Sequence, residues 1–115
     1  MSKRTDKDLI EDILICLSKI AQYVHGLSYD DFVNDLKTQD AIIRNLEIIG
    51  EASKKLSPDI KEKHTNIPWK MIAGTRDRLI HGYFGVNIDI VWGIVTIDLP
   101  VLKREVNKIK EEYFG

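Results

Sequence analysis

Leu9, Ile10, Ile13, Leu14, Leu17, Ile20, Ala21 and Val24 recur at three- and four-residue steps, so they fall on one face of a helix. Thr5 with Asp8 three positions on is a capping-box pair that would open this helix, and Gly26 stands where it should stop. Ser28 with Asp31 repeats the signature and predicts a short helical stretch through Phe32, Val33 and Leu36. Thr38 is then the expected cap of a second long helix, with Ile42, Leu46, Ile49, Ala52, Ser53 and Leu56 inward. Its other face carries Arg44, Glu47, Glu51, Lys54 and Lys55, where Glu51 and Lys55 have the favourable four-residue spacing. Gly50 costs about 1 kcal/mol relative to Ala inside a helix, which predicts close packing of a neighbouring helix there.

Ser57-Pro58-Asp59 starts a further short helix to about Lys63, with proline in the first turn. Asn66-Ile67-Pro68-Trp69 starts another, with Trp69, Ile72, Ala73, Leu79 and Ile80 as inward residues. From Ile88 to Leu99 the chain is rich in β-branched and aromatic residues, a strand by propensity. No second strand exists to pair with it, and an isolated strand does not hold. As a helix it would be apolar nearly all round, and so a central helix, a subunit interface, or both. Pro100 should kink it and Asp98 is a possible restart cap, before Leu102, Val106 and Ile109 continue the apolar face. The pattern predicts an all-α, up-and-down bundle of about four to five helices in a single domain spanning 1–115.

Composition narrows the function classes. With 17 Lys and Arg against 18 Asp and Glu, the net charge is −1, which excludes a broad phosphate-coating basic surface. A hydrophobic fraction of 43% with 30% charged residues is globular composition. Cys16 is the one cysteine, so no intrachain disulfide can form, and a reducing compartment fits. No run approaches the roughly 20 apolar residues of a membrane span, and the expected location is the cytoplasm. A chain of 115 residues buries only about two thirds of its unfolded surface, so a partner subunit would stabilise it.

The histidines His25, His64 and His81 lack ligand spacing, and no metal or cofactor is expected. His25 and His64 are expected on the surface, and Cys16 among Leu14, Ile15 and Leu17 as a buried inert thiol. The concentrated polar cluster is Arg76-Asp77-Arg78-Leu79-Ile80-His81-Gly82-Tyr83. On a helix Asp77 and His81 are neighbours, so the carboxylate could orient the imidazole and raise its pKa. Arg78 and His81 are also adjacent, and Tyr83 shares the face of Arg76 if the helix continues past Gly82. A base, a fixed cation and a phenol at one helix end suit phosphate-ester chemistry: His moves a proton while Arg stabilises developing charge. The same residues would also serve as an ordinary solvated helix end, where the dipole alone favours a histidine.

Arg76, four residues, His81, one residue, Tyr83 resembles the R-x4-6-H-x-Y pattern of the HepT-like branch of the HEPN superfamily. The flanking blocks Ala41–Ala52, Ile67-Pro68-Trp69, His81–Val86, Asp89–Trp92 and Asp98-Leu99-Pro100 are similar to that family too, and the likeness runs from about Asp6 to Ile109. The resemblance implies a homodimeric HEPN-like helical bundle, possible higher assembly, and an RNA substrate. It further implies a toxin–antitoxin pair, in which a minimal nucleotidyltransferase of the MntA type neutralises the toxin by transferring AMP to the motif tyrosine. Carried over by position, Arg76 and His81 are catalytic, Asp77 is the polar residue after the arginine, and Tyr83 is the AMP acceptor. Arg78 and Glu51 are supporting residues. Cleavage through a 2′-hydroxyl needs both an acid and a base, and a two-fold dimer would bring two His81 and two Arg76 to one cleft. A non-catalytic binding module, itself the substrate and partner of the nucleotidyltransferase, is the alternative reading.

Overall fold

A computed structural model describes residues 4–75 and 87–115, and among these every regular element is helical. The first is α1, Asp6–Val24. Its capping box forms as expected: the Thr5 hydroxyl accepts from the Asp8 amide at 3.1 Å, and the Asp8 carboxylate accepts from the Thr5 amide at 3.1 Å. Gly26 adopts a φ of 77°, the left-handed conformation that turns the chain out of the helix. The Ser28–Asp31 box opens α2, which is shorter than the pattern suggests: it spans Tyr29–Val33, and Leu36 belongs to the next helix.

That helix, α3, spans Leu36–Lys55, and its cap is Asp35 rather than Thr38. The Asp35 carboxylate accepts from the Thr38 amide at 3.0 Å and from its hydroxyl at 2.6 Å. Two capping residues stand three apart; the carboxylate, with two acceptor oxygens, takes both protons and places Thr38 inside the first turn. The Thr38 bonds hold the Asp35 carboxyl below its usual range.

Pro58–Lys63 forms α4 and Trp69–Ala73 forms α5. The next described element is α6, Ile88–Gly93, which runs through a π-helical turn at Ile94–Asp98 and continues as α7, Leu99–Phe114. The helical alternative for Ile88–Leu99 is thus the one adopted. Asp98 is no restart cap: its backbone is helical and its side chain caps nothing. Pro100 has no amide proton, and its ring would crowd the carbonyl of residue 96 in a regular α-helix. The wider turn resolves the conflict, with the Leu99 amide donating to the Ile94 carbonyl five residues back and the Thr96 hydroxyl donating to the Trp92 carbonyl.

The core is the meeting of α1, α3 and α7. Ile10, Ile13, Ile20, Ile42, Ile49, Val106 and Ile109 are essentially sealed from solvent. Phe32 of α2 closes one end, packed on Trp92 of α6 with ring centroids 5.1 Å apart. The buried Gln39 side chain donates to the carbonyls of Phe32 and Val33, satisfying the end of α2. Ile97 is 70% exposed, so Ile88–Leu99 is not buried all round. Cys16 is buried as expected, and its burial pushes the thiol pKa up, away from nucleophile chemistry. Among the described residues no helix is long and apolar enough to cross a membrane.

Candidate functional site

Arg76, Asp77, Arg78, His81 and Tyr83 lie outside the described residues, as do the expected inward residues Leu79 and Ile80. In sequence they are flanked by α5 on one side and α6 on the other, which together form a frame.

Gly50 seats α5 on α3. A Cβ built there would lie 3.2 Å from the Ile72 carbonyl oxygen and 3.6 Å from that of Ala73. Close packing is therefore the reason for the glycine: α5 lies with its backbone against the bare face of α3. The Trp69 indole donates to the His64 carbonyl at 3.1 Å and ties the start of α5 to the end of α4. Trp69, Ile72 and Ala73 are half-buried rather than buried. Thr75, which is buried, donates through its hydroxyl to the Met71 carbonyl at 3.1 Å, immediately before Arg76 in sequence. His64 departs from expectation. It is not a surface residue, since its ring packs edge-on against Tyr113, with Nε2 3.6 Å from the Glu112 carboxylate. His25 is exposed as expected.

On the exit side, the Asn87 side chain accepts from the Ile90 amide at 3.2 Å and caps α6. The Tyr29 hydroxyl donates to the Asp89 carboxylate, and the Tyr29 ring meets Trp92 edge-on at 5.9 Å. That bond to Asp89 raises the Tyr29 pKa above its ordinary value.

Glu51, the supporting residue from the preceding helix, is exposed one position beyond Gly50. It pairs with Lys54 at 3.6 Å rather than with Lys55. The two belong to a groove of about 490 Å3 along the outer face of α3. Arg44, Glu47 and Lys55 also line it, Ala73 of α5 forms part of its wall, and Arg4, held to Asp12 at 2.6 Å, lies at its edge. Periodicity reads these side chains as a solvated helix face; the groove exists because the α1 N-terminus and α5 flank that face. The apolar side of α5 lines a second groove of about 250 Å3, with Thr75, Ile94 and Leu102.

The family model described as Ribonuclease HepT-like matches residues 13–109, a span that includes the whole Arg76–Tyr83 segment. The chain is 45% identical over 109 residues to a protein of Thermococcus cleftensis named as a probable ribonuclease HepT, covering 95% of this chain and 99% of that one. It is 43% identical over 109 residues to a protein of Caldanaerobacter subterraneus subsp. tengcongensis named as a candidate RNase, covering 95% and 97%. A third relative, from Methanocaldococcus jannaschii and named in the same way, is 41% identical over 115 residues, covering 100% and 95%. No solved structure matches the chain.

Proposed function

The chain belongs to the ribonuclease HepT-like family, and from that premise we propose that it is a metal-independent endoribonuclease, the toxin of a toxin–antitoxin pair acting in the cytoplasm. The observation that carries the reading is the family match over 13–109, taken with the Arg76, His81 and Tyr83 spacing inside it. In this reading residues 1–115 form one domain, and two copies contribute to one cleft. One His81 removes the proton of an RNA 2′-hydroxyl, whose oxygen attacks the adjacent phosphorus. The second His81 protonates the departing 5′-oxygen, leaving a 2′,3′-cyclic phosphate. Arg76 holds the phosphate and stabilises charge on its oxygens in the transition state. Asp77 orients His81, with Arg78 and Glu51 as supporting residues.

Control follows from Tyr83. A nucleotidyltransferase of the MntA type would transfer AMP from ATP to its phenolic oxygen, releasing pyrophosphate. The added negative charge and bulk would stand where the RNA phosphate must sit. The test is cleavage of RNA by the purified protein in EDTA. Wild type is expected to cut, with His81→Ala and Arg76→Ala each slower by about a hundredfold or more. Undiminished cleavage by His81→Ala overturns the catalytic assignment, and no cleavage by wild type favours the binding-module reading. Intact mass after incubation with the partner and ATP should show AMP on wild type and none on Tyr83→Phe.

A further inference from the structure

We propose that the groove on the outer face of α3 is a single-stranded RNA subsite, in which Arg44 and Lys55 hold phosphates and Glu47 reads a base amino group. The inference rests on the ribonuclease reading and extends it to the path of the substrate. Three observations carry it.

The first is placement. Ala73 forms part of the groove wall and stands three residues before Arg76. Three residues of chain span at most about 11 Å, so a strand bound by Arg76 can reach this groove.

The second is charge. The groove holds both signs, but the carboxylates are unequally available. Asp12 is taken by Arg4, and Glu51 is paired with Lys54. Arg44, Lys55 and Glu47 have no ion pair among the described residues, and Arg44 and Lys55 are exposed. At about 100° per residue, Arg44 and Lys55 lie within about 20° of each other on α3 and roughly 16 Å apart along its axis. That separation suits two phosphates of a strand running along the helix, rather than one anion.

The third is chemical fit. A nucleotide presents anionic phosphate on one edge and, in cytosine, adenine and guanine, an amino donor on another. Cations for the phosphate with a carboxylate for the amino group match that pair, whereas a purely basic groove would not distinguish bases. Uracil offers a carbonyl where cytosine offers the amino group, so Glu47 would attract C and repel U.

The probe is a fluorescein-labelled 2′-O-methyl octamer, C8 or U8, which lacks the 2′-hydroxyl nucleophile and so reports binding without cleavage. Affinity is measured by anisotropy between 50 and 200 mM salt for the full chain. Wild type is expected to bind C8 severalfold tighter than U8. Arg44→Ala and Lys55→Ala should each weaken both probes and reduce the log–log salt slope by about 0.7, one phosphate's worth on a single strand. Glu47→Ala should bring C8 and U8 together, and Lys108→Ala, on α7 and paired with Glu105, should change nothing. These substitutions are of side chains on the helix surface, and circular dichroism verifies that each variant remains folded. An unchanged salt slope in both cation variants overturns the subsite, as does a C8 preference that survives Glu47→Ala. Salt slopes that fall as stated, with no RNA cleavage by wild type, would retain the subsite and remove the ribonuclease reading. Cleavage with unchanged slopes would do the reverse.

Discussion

The α1–α3–α7 bundle and the α5–α6 frame are built by different means. In the bundle, long helices bury complete aliphatic stripes, and Ile10, Ile13, Ile42 and Ile109 are cut off from solvent. In the frame, α5 has five residues and none is fully buried, while α6 has six and buries only Val91. The frame is held by specific contacts instead: a glycine crossing, an indole–carbonyl bond, a phenol–carboxylate bond and a side-chain cap. The sealed apolar surface is in the first region, and the residues proposed for chemistry stand between α5 and α6 in sequence. Elements with few buried apolar contacts are the ones that open locally at least cost.

The difference can be broken in graded ways. Ile42→Ala removes a sealed side chain and should cost about 2–5 kcal/mol in urea denaturation, melting bundle and frame together. Gly50→Val places a branched side chain against the Ile72 carbonyl; overpacking of this kind costs about 1–3 kcal/mol. It should lower RNA cleavage far more than that loss implies, because α5 must shift. If instead its activity follows its stability as that of Ile42→Ala does, the frame is no separate region.

The pH responses should separate the regions in opposite directions. Asp8 and Asp35 cap bundle helices, and their bonds to Thr5 and Thr38 hold both carboxyls below their usual range. Their contribution is complete above the unfolded value of about 3.9 and is lost as pH falls through the lower folded values. Thermal stability should therefore drop with acid below about pH 4, and Asp35→Ala should flatten that drop. Tyr29 has the reverse sign. Its raised pKa means that the phenol bond is intact below its ordinary value of about 10 and is lost as pH rises through the higher folded value. In a Trp69→Phe background, Trp92 fluorescence should report that alkaline loosening, and Tyr29→Phe should remove it. This is the smallest of the effects, and equal acid sensitivity in wild type and Asp35→Ala would blur the distinction.

The bundle was legible in sequence because its signals are local: capping boxes at Thr5 and Ser28, three- and four-residue apolar steps, and a glycine where α5 crosses. The sequence does not single out the α3 cap, because Asp35 and Thr38 are both good caps and only geometry shows which one accepts. His64 reads as a surface residue because nothing nearby in sequence reveals Tyr113, which lies 49 residues away. The Arg76–Tyr83 cluster stands out in sequence as a motif because its spacing is local, and its residues lie outside the described ones. The groove on α3 was not, because three elements must assemble before its charged stripe has walls. Groove edges are properties of tertiary contact, which periodicity along one helix does not carry.

The π turn at Ile94–Asp98 sets the phase of everything after it. Counted at about 100° per residue, Val91, Val95, Leu102, Val106 and Ile109 would make one continuous stripe down a straight α-helix. The turn holds one residue more than an α-helical turn needs, so α7 is rotated by about 100° relative to α6. What reads as a single apolar ribbon is therefore turned partway along, with α6 packed beside α2 and α7 packed along α1. A single-residue deletion between Ile94 and Asp98, harmless by composition, would remove that rotation. Either α6 or α7 would then face the wrong partner, and the spacing of this segment is fixed by angle rather than by length.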